Sequence, residues 1–438
     1  MTTVLPAPAL APRNVPVLGH ALRMIRDPLA FLTSVDVTAD LLELRLGPQK
    51  AVLCCAPELT RQVLVNARTY DKGGRMFDKI RLSAGDGLVS ARWPEHRRDR
   101  PQVQPAFHPS RIAHYATVMT EEIDACLQPW RPGDTVDVNA AMHRYALRVL
   151  ARTMFSAAAA LPFLDDIVRC VPIGLRGSYW RTMNPVDFVE RLPLPANRRF
   201  DAAVARLLEI AAVLVAEYRK SEVDNGDLLA MMLAARDTET GTGMSDQRIV
   251  EHVFTMLIAG TETTSSLVSW AAYLLGGHPE VARALGEELD TVADARQSGL
   301  LRRVLNETLR LYPPSWLLTR ITTVDCRLGR YRLPAGTTVM FSPYLIHRRP
   351  DVFAEPGRFD PDRWLPERAA GIPRAAFIPF GGGARKCIGD EFGLAEASVA
   401  LAAIARRWRL SPVDDRPVRP VPRIALSPGA LPMVLNAR

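Results

Sequence analysis

The chain has 438 residues, of which 48% are hydrophobic and 23% are charged. This composition excludes a disordered, collagen-like or disulfide-scaffold protein and allows a sizeable core. The formal net charge of +8 comes from dispersed arginine, because only five of the 55 basic residues are lysine. Since neither a clustered basic stripe nor a recognition motif accompanies this charge, we expect no nucleic-acid partner.

Residues 1–40 form a proline-rich lead-in without a basic start or an unbroken apolar run, so the sequence predicts neither a signal peptide nor a membrane anchor. The six cysteines lack a C-x-x-C pair and include the adjacent Cys54 and Cys55, which indicates a reducing, cytoplasmic location. Because no later stretch has the composition of a linker, we expect a single domain over residues 1–438.

Helical patterns dominate from about residue 57 to residue 310. Strand signals are short and lie at 42–54 and 319–340, with turn residues inside each stretch. The predicted fold is therefore mostly α with small β-sheets. Besides one long helix after Ser245, the predicted helices cover residues 57–67, 94–104, 110–127, 139–155, 197–219, 279–292, 299–311 and 390–407.

The long helix needs separate consideration, because residues 253–275 carry a single charge, Glu262, and could span a bilayer. Their centre is the polar run 260–266, which would be costly in lipid. Ser245 provides an N-terminal cap and Gly276 a stop. We therefore predict a long buried helix and not a membrane span.

The strongest motif is Phe380-Gly381-Gly382-Gly383-Ala384-Arg385-Lys386-Cys387-Ile388-Gly389, directly before the last predicted helix. Its glycines let the backbone approach a flat ligand, and a cysteine at a helix start is shifted toward the metal-binding thiolate. A phosphate-binding loop is one alternative, although the G-K-[ST] ending is missing. A plain glycine turn with a buried cysteine is the other. The motif favours a thiolate that holds a planar iron macrocycle.

The loop meets every fixed position of F-x-x-G-x-R-x-C-x-G, and on this motif the chain resembles the cytochrome P-450 family. The resemblance implies the fold of that family, with the long central helix over heme b (iron protoporphyrin IX). It makes Cys387 the axial ligand of the iron. It also places Phe380, Gly381 and Arg385 among the heme-binding residues, with Phe380 shielding the sulfur and Arg385 meeting a carboxylate of the heme.

Two further motifs are similar to those of the family and imply a buried charge cluster. Glu307-Thr308-Leu309-Arg310 resembles the E-x-x-R helix, and Pro361-Asp362-Arg363-Trp364 resembles P-E-R-F. Taken alone, an E-x-x-R is usually a solvated surface pair. The resemblance instead implies that Glu307, Arg310 and Arg363 together hold the irregular segment before the heme loop.

A third similarity concerns the heme propionates. His96-Arg97-Arg98-Asp99-Arg100 resembles the family's H-x-x-x-R, in which the histidine and the closing arginine contact propionates. The resemblance therefore implies that His96, Arg100 and also Arg320 bind these carboxylates. Ordinary surface charges are the alternative for each residue.

On the long helix, Ala259-Gly260-Thr261-Glu262-Thr263 resembles the oxygen-binding motif A/G-G-x-D/E-T. The resemblance implies that Thr263 stabilises oxygen and that the Glu262 carboxylate feeds protons inward, so both residues are candidate catalytic groups. The alternative is that they only satisfy a kinked helix by hydrogen bonding back to its own carbonyls.

The predicted substrate pocket is nearly all apolar, which favours a hydrophobic small molecule over sugars, nucleotides or strongly charged acids. For any single one of its residues, ordinary core packing is the alternative role. The predicted lining includes Phe77, Trp180, Met183, Phe188, Phe254, Ile258, Ala259, Gly260, Trp316 and Leu317.

The resemblance implies a heme-thiolate monooxygenase that inserts one oxygen atom from O2 into a C–H bond. Because the chain lacks flavin, iron–sulfur and dinucleotide motifs, electrons from NAD(P)H would come through a separate, acidic ferredoxin or flavodoxin-type donor with its reductase. Arg97, Arg98, Arg385 and Lys386 would suit such a donor.

The lead-in and the passage Leu311–Arg320 look like actinobacterial family members that oxidise terpenes, which favours a cyclic terpenoid substrate. The alternatives are a fatty acid or macrolide hydroxylase, a peroxide-using or isomerising enzyme on the same scaffold, and a heme-based sensor.

Overall fold

The computed structural model describes residues 7–155, 161–183, 187–220, 227–237 and 240–438, without the side chains at 83, 84, 161, 183 and 187. The chain forms two compact units. The first comprises the residues up to Asp78 together with Leu309–Cys387, and the second comprises Lys79–Thr308 together with Ile388–Arg438. The single-domain interpretation of the sequence stays a prediction.

Helix dominates the described residues, and the sheets are small, which confirms the predicted fold class. The strands in chain order are β1 (Ala9–Leu10), β2 (Leu41–Leu46), β3 (Gln49–Cys54), β4 (Tyr70–Asp71), β5 (Thr135–Asp137), β6 (Leu318–Thr322), β7 (Cys326–Leu328), β8 (Tyr331–Leu333), β9 (Thr338–Phe341), β10 (Trp408–Pro412), β11 (Val421–Pro422), β12 (Leu426–Ser427) and β13 (Pro432–Ala437). The α-helices are Ala21–Arg26, Pro28–Thr33, Pro57–Val65, Gly74–Ala84, Trp93–Val103, Pro109–Leu127, Val138–Met154, Leu164–Met183, Asp187–Arg191, Pro195–Lys220, Leu228–Ala234, Asp246–Gly276, Pro279–Thr291, Gly299–Leu311, Pro343–Ile346, Pro366–Ala369 and Asp390–Arg407.

The first unit is built on a six-stranded mixed sheet with the order β1-β2-β3-β9-β6-β4. β2 and β3 form a hairpin whose turn contains Gly47 at φ +64°, a conformation that favours glycine. The antiparallel pairing of β4 with β6 sets Asp71 opposite Ile321, one residue along the chain from Arg320, and the charge of Asp71 acts on Arg320. The sheet thus brings together two charged residues that lie far apart in the sequence.

The second unit surrounds the helix Asp246–Gly276, called the central helix below. The Ser245 side chain accepts from the Arg248 amide at 3.4 Å and caps the first turn. At about 1.5 Å per residue the helix is roughly 45 Å long. It packs against Val138–Met154, Pro195–Lys220 and Asp390–Arg407, and 21 of its 31 residues are buried. Every residue of 252–257 and of 264–272 is buried, so in these parts the helix is buried around its full circumference.

The eight shorter predicted helices are confirmed to within two residues at each end. The helix Leu164–Met183 escaped prediction because Pro172, Gly174 and Gly177 interrupt its pattern. Gly177 is needed for packing, since a Cβ there would collide with the Phe200 ring. Within the described ranges, we find no helix with an apolar stretch long enough for a bilayer crossing.

Candidate active site

The loop Phe380–Gly389, called the thiolate loop below, is shaped by its glycines. Gly381 and Gly383 have φ values of +70° and +65°. A Cβ on Gly383 would collide with the carbonyl oxygen of Leu64, so the close approach of two backbones requires glycine there. The Cys387 amide donates to the Phe380 carbonyl at 2.9 Å and closes the loop. Cys387 itself is exposed, and its thiol is therefore accessible to a ligand.

Two buried arginines of the first unit lie close together. Arg385 ion-pairs with Asp71, and Arg320 donates to the Thr319 carbonyl at 2.7 Å. Burial, reinforced by the positive charge of Arg385, lowers the pKa of Arg320 to about 10. Burial is the largest influence on this pKa, and the negative charge of Asp71 offsets it only in part.

These two buried arginines test whether the implied heme fits. Arg385 ion-pairs with the Asp71 carboxylate, and Arg320 is buried close enough for the charges of Arg385 and Asp71 to act on it. A heme carries two anionic propionates, for which buried arginines are suitable donors. Together with the accessible Cys387 thiol, Arg320 and Arg385 suit an anionic macrocycle that binds iron through a thiolate.

The burial of Arg385 corrects one detail of the sequence interpretation. Its side chain is only 1% exposed and is ion-paired with Asp71, so it cannot offer its charge to an electron donor at the surface. Arg97, Arg98 and Lys386 are exposed, and Arg98 also pairs with Asp99 at 2.9 Å.

The residues of the predicted charge cluster are all buried, with exposures of 0% for Glu307, 0% for Arg310 and 6% for Arg363. Glu307 and Arg310 are three positions apart on the helix Gly299–Leu311. The guanidinium groups of Arg310 and Arg363 lie over the Phe353 ring, 5.3 Å and 6.0 Å from its centroid. Buried charges of this kind require partners, so these residues are not solvated surface charges.

Arg310 organises the segment that leads to the thiolate loop. It donates to the carbonyl oxygens of His347 at 3.1 Å, Pro356 at 2.7 Å and Arg358 at 3.0 Å. His347 Nε2 in turn accepts from the Ile378 amide at 2.9 Å, two residues before Phe380. Burial lowers the pKa of His347 to about 3, which keeps the ring neutral and able to accept. Sequence analysis missed His347 because it lies outside every motif.

In the second unit, a short stretch of the central helix is accessible although its neighbours are buried. Ile258, Ala259, Gly260 and Thr263 are partly exposed, whereas 252–257 and 264–272 are buried. The Thr263 hydroxyl donates to the Ala259 carbonyl at 2.8 Å, the back-bonding expected of a structural threonine. Since a hydroxyl oxygen also accepts, this bond leaves Thr263 able to accept a hydrogen bond from another donor.

Glu262 does not bond back to its helix. It is 4% exposed, and its Oε2 accepts from the amide of Ala425 at 3.3 Å. Burial raises the pKa of Glu262 to about 7, while the Ala425 amide and the charge of Arg423 oppose that rise. The carboxyl therefore changes its protonation state near neutral pH, as a group that transfers protons must.

Gly260, two residues before Glu262, has a packing role that the sequence did not reveal. A Cβ on Gly260 would lie 3.0 Å from the Leu150 side chain of the helix Val138–Met154. The glycine therefore allows close contact between two helices, and its predicted role in the pocket stays a prediction.

The predicted propionate ligands of the second unit lie on the helix Trp93–Val103. His96 is 2% exposed and stacks on Trp93 with 6.4 Å between ring centroids, and Arg100 is half-buried. Between them lies Asp99, which is 1% exposed. Asp99 is an acidic residue in a run of basic residues, and that contrast is the signal that could have identified it.

Asp99 fixes this helix to the central helix. Its carboxylate ion-pairs with Arg248 and accepts from His252 Nε2 at 3.2 Å and from Arg98 at 2.9 Å. His252 Nδ1 accepts from the Leu88 amide at 3.3 Å, so the proton of a neutral ring resides on Nε2. This network orients the helix that carries His96 and Arg100.

The predicted pocket residues differ widely in exposure. In the second unit Phe254 is 3% exposed, but Trp180 and Phe188 are 43% and 67% exposed. In the first unit Phe77 and Trp316 are buried, and Leu317 is partly exposed. The Met183 side chain lies outside the described residues. The pocket assignment stays a prediction for all of them.

Comparison with known proteins agrees with this picture. A family model described as cytochrome P450 matches residues 8–431. The chain is 47% identical to cyclooctatin synthase of Streptomyces melanosporofaciens, over 98% of this chain and 95% of the relative. It is 41% identical to pentalenene oxygenase of Streptomyces avermitilis, over 94% and 93%. A crystal structure of the cytochrome P450DA heme domain superposes with a TM-score of 0.88 and 26% identity, over 99% of both chains.

The matching family model, the full-length relatives and the shared fold agree with the motifs of the thiolate loop and the central helix. The family implies a heme-thiolate iron and O2 as co-substrate, as well as a redox partner and a hydrophobic substrate. The chain belongs to the cytochrome P-450 family and is a monooxygenase.

Proposed function

We propose that this enzyme inserts one oxygen atom into a C–H bond of a cyclic terpenoid. The observation that carries the proposal is the set of near full-length relatives named cyclooctatin synthase, cyclooctat-9-en-7-ol 5-monooxygenase and pentalenene oxygenase, at 47%, 44% and 41% identity. The apolar side chains of the predicted pocket support it, because they reward burial of a compact hydrocarbon at roughly 25 cal/mol per Å².

Cys387 is the residue that would hold the heme iron, through its thiolate. His96, Arg100, Arg320 and Arg385 are the proposed donors to the propionates. When bound, the heme supplies the redox chemistry that activates O2 for attack on a C–H bond. The buried positive charge of Arg320 and Arg385 supports this assignment, because their desolvation is best offset by carboxylates.

Glu262 and Thr263 are the proposed proton-handling residues. Glu262 can bind and release a proton at neutral pH because burial has raised its pKa to about 7. Thr263, the next residue, has its own hydroxyl proton directed to the Ala259 carbonyl and can receive a hydrogen bond at its oxygen. The pair therefore combines a buried titratable acid with a partly exposed alcohol at neighbouring positions of the central helix.

Electrons are proposed to come from NAD(P)H through an acidic ferredoxin or flavodoxin-type donor and its reductase. The exposed Arg97, Arg98 and Lys386 support an acidic donor. We also propose a cytoplasmic enzyme, because all six cysteines are free thiols, as is usual in a reducing compartment.

The substrate proposal is tested by titrating the ferric, heme-loaded enzyme with cyclic terpenoids, fatty acids and macrolides. A cyclic terpenoid should shift the heme to high spin at low micromolar concentration, which corresponds to a binding free energy of about −8 kcal/mol. A shift with fatty acids or macrolides but with no terpenoid would overturn the substrate class. Turnover with peroxide in the absence of any donor would favour the peroxide-using alternative.

The ligand assignment is tested by Cys387→Ser, with Cys326→Ser as the matched control from the same unit. We expect Cys387→Ser to lose both the thiolate-type carbon monoxide spectrum and product formation, since the hydroxyl is a far weaker donor to iron. Cys326→Ser should keep both. Retention of both signals in Cys387→Ser would show that another residue is the ligand.

A further inference from the structure

The hairpin Val421–Ser427, formed by β11 and β12 and called the Glu262 hairpin below, is fastened to the centre of the second unit. Trp270 Nε1 on the central helix donates to the Leu426 carbonyl at 2.9 Å. Asn139 Nδ2 donates to Ser427 Oγ at 3.3 Å and to the Gly429 carbonyl at 2.8 Å. Three side-chain contacts from two helices therefore fix the base of this short hairpin.

The tip of the hairpin reaches Glu262. The Ala425 amide donates to Glu262 Oε2, and the amide of Arg423 donates back to the Ala425 carbonyl at 3.1 Å, which tightens the turn between them. Leu426 and Ala425 are buried, and Arg423 is half-buried. The hairpin thus brings a backbone donor to one buried carboxyl, and the positive charge of Arg423 acts on the same carboxyl.

The polar groups around this tip come from three helices. Arg423 acts electrostatically on Glu262 of the central helix, on His143 of Val138–Met154 and on Tyr179 of Leu164–Met183. Burial lowers the pKa of His143 and raises that of Tyr179, so both are neutral at pH 7. Arg423 and Glu262 are therefore the groups of this set that carry charge near neutrality.

We infer that the Glu262 hairpin is a positioning element for proton delivery, in which Ala425 orients the Glu262 carboxyl and Arg423 stabilises the carboxylate that remains after its proton leaves. The inference rests on the proposed role of Glu262 in turnover. A buried carboxyl without such support would stay protonated, because ionisation in low dielectric is costly. With Arg423 nearby, Glu262 can lose a proton and take up another.

The direction of the effect follows from the sign of the charge. Burial favours neutral Glu262, and Arg423 opposes burial. Removing the guanidinium therefore disfavours the carboxylate and moves its titration to higher pH. A lysine at the same position retains the positive charge and should return the titration midpoint most of the way to its wild-type value.

The test uses the full-length, heme-loaded protein and three variants, Arg423→Gln, Arg423→Lys and Arg419→Gln. Arg419 is exposed and serves as the matched loss of one arginine nearby in the sequence. The first readout is infrared titration of the protonated carboxyl band that disappears in Glu262→Gln. Its midpoint should move to higher pH in Arg423→Gln, return in Arg423→Lys and stay unchanged in Arg419→Gln.

The second readout is product formed per NAD(P)H consumed as a function of pH, which should shift in the same direction. An infrared midpoint unchanged in Arg423→Gln overturns the inference whatever the coupling shows. If the midpoint moves while Glu262→Gln couples like the wild type, the hairpin does control the carboxyl but the proposed role of Glu262 is wrong. The two failures are therefore distinguishable.

Discussion

Two buried acids of the second unit have opposite electrostatic surroundings. Asp99 is 1% exposed and Glu262 is 4% exposed. Burial is the largest influence on each and raises both pKa values, but hydrogen bonds from His252, Arg248 and Arg98 hold that of Asp99 far below its usual range. Glu262 has a hydrogen bond from the Ala425 amide and the electrostatic influence of Arg423, and its pKa stays raised, at about 7.

The comparison shows that burial alone does not define the role of an acid. Asp99, with three charged or polar donors, is permanently ionised at neutral pH and serves to join two helices. Glu262, with weaker compensation, can change its charge. Perturbed groups of the second kind are typical of catalytic sites, whereas the first kind is typical of structural ion pairs.

Glu396, on the helix Asp390–Arg407, resembles Glu262 in being a buried acid with weak compensation. It is 1% exposed, the Thr264 hydroxyl donates to it, and Oε1 has no hydrogen-bond partner among the described residues. Burial raises its pKa to about 8, so it is protonated at neutral pH. Sequence analysis did not identify this carboxyl.

The largest expected effect on stability comes from removing Asp99, the acid whose burial is offset by three hydrogen-bond donors. Asp99→Ala leaves the buried His252 without its carboxylate and leaves the partly exposed Arg248 with its other acidic partner, Glu251. The loss should cost about 3 to 5 kcal/mol of unfolding free energy. The exposed pair of Asp246 with Arg219 provides the control, since Asp246→Ala should cost about 0 to 1 kcal/mol. Denaturant unfolding of both variants measures the difference, and equal losses would contradict the structural role of Asp99.

The pH dependence of Asp99 has a defined sign. Because its folded pKa is lowered, its contribution is present above its ordinary value of 3.8 and is lost as pH falls toward the folded value. The stability deficit of Asp99→Ala should therefore shrink in strong acid.

A smaller effect on stability, of opposite sign, is expected from replacing Glu396, whose burial is only weakly offset. Its pKa is raised in the folded state, so wild-type stability should fall as pH rises from about 4.5 to about 8. Because Glu396→Gln cannot ionise, it lacks this loss. Between pH 4.5 and pH 8 its unfolding free energy should rise by on the order of 3 kcal/mol relative to that of the wild type. Thermal unfolding at both pH values tests this, and a parallel pH dependence in the two proteins would show that Glu396 is not buried and uncompensated.

The smallest effect on stability, but a clear effect on coupling, is expected at the alcohol beside Glu262. Thr263→Ala should leave the fold intact and lower product per NAD(P)H several-fold, with the lost electrons recovered as peroxide or water, because proton delivery is no longer controlled. Thr261→Ala is the matched control, since Thr261 bonds back to Leu257 at 2.7 Å but is buried. If both variants couple equally well, back-bonding is the role of Thr263.

The sequence by itself determined the features whose residues lie close together along the chain. The thiolate loop occupies ten consecutive positions, so its glycines, arginine and cysteine could be recognised as a unit. Helix ends were predicted closely because caps and stops are local signals. Several helices were missed, among them Gly74–Ala84 and Leu164–Met183. Leu164–Met183 was missed because a proline and two glycines interrupt its pattern, and one of these glycines, Gly177, is required for packing against another helix.

The tertiary structure alone decided which charges meet. Asp99 and Arg248 are 149 positions apart, Glu262 and Ala425 are 163 apart, and Arg385 and Asp71 are 314 apart. Sequence periodicity reports which face of an element is buried, but it carries no information about which distant element covers that face. The protonation state of each buried acid depends on that covering element, because the donors it brings set the free energy of the charged form.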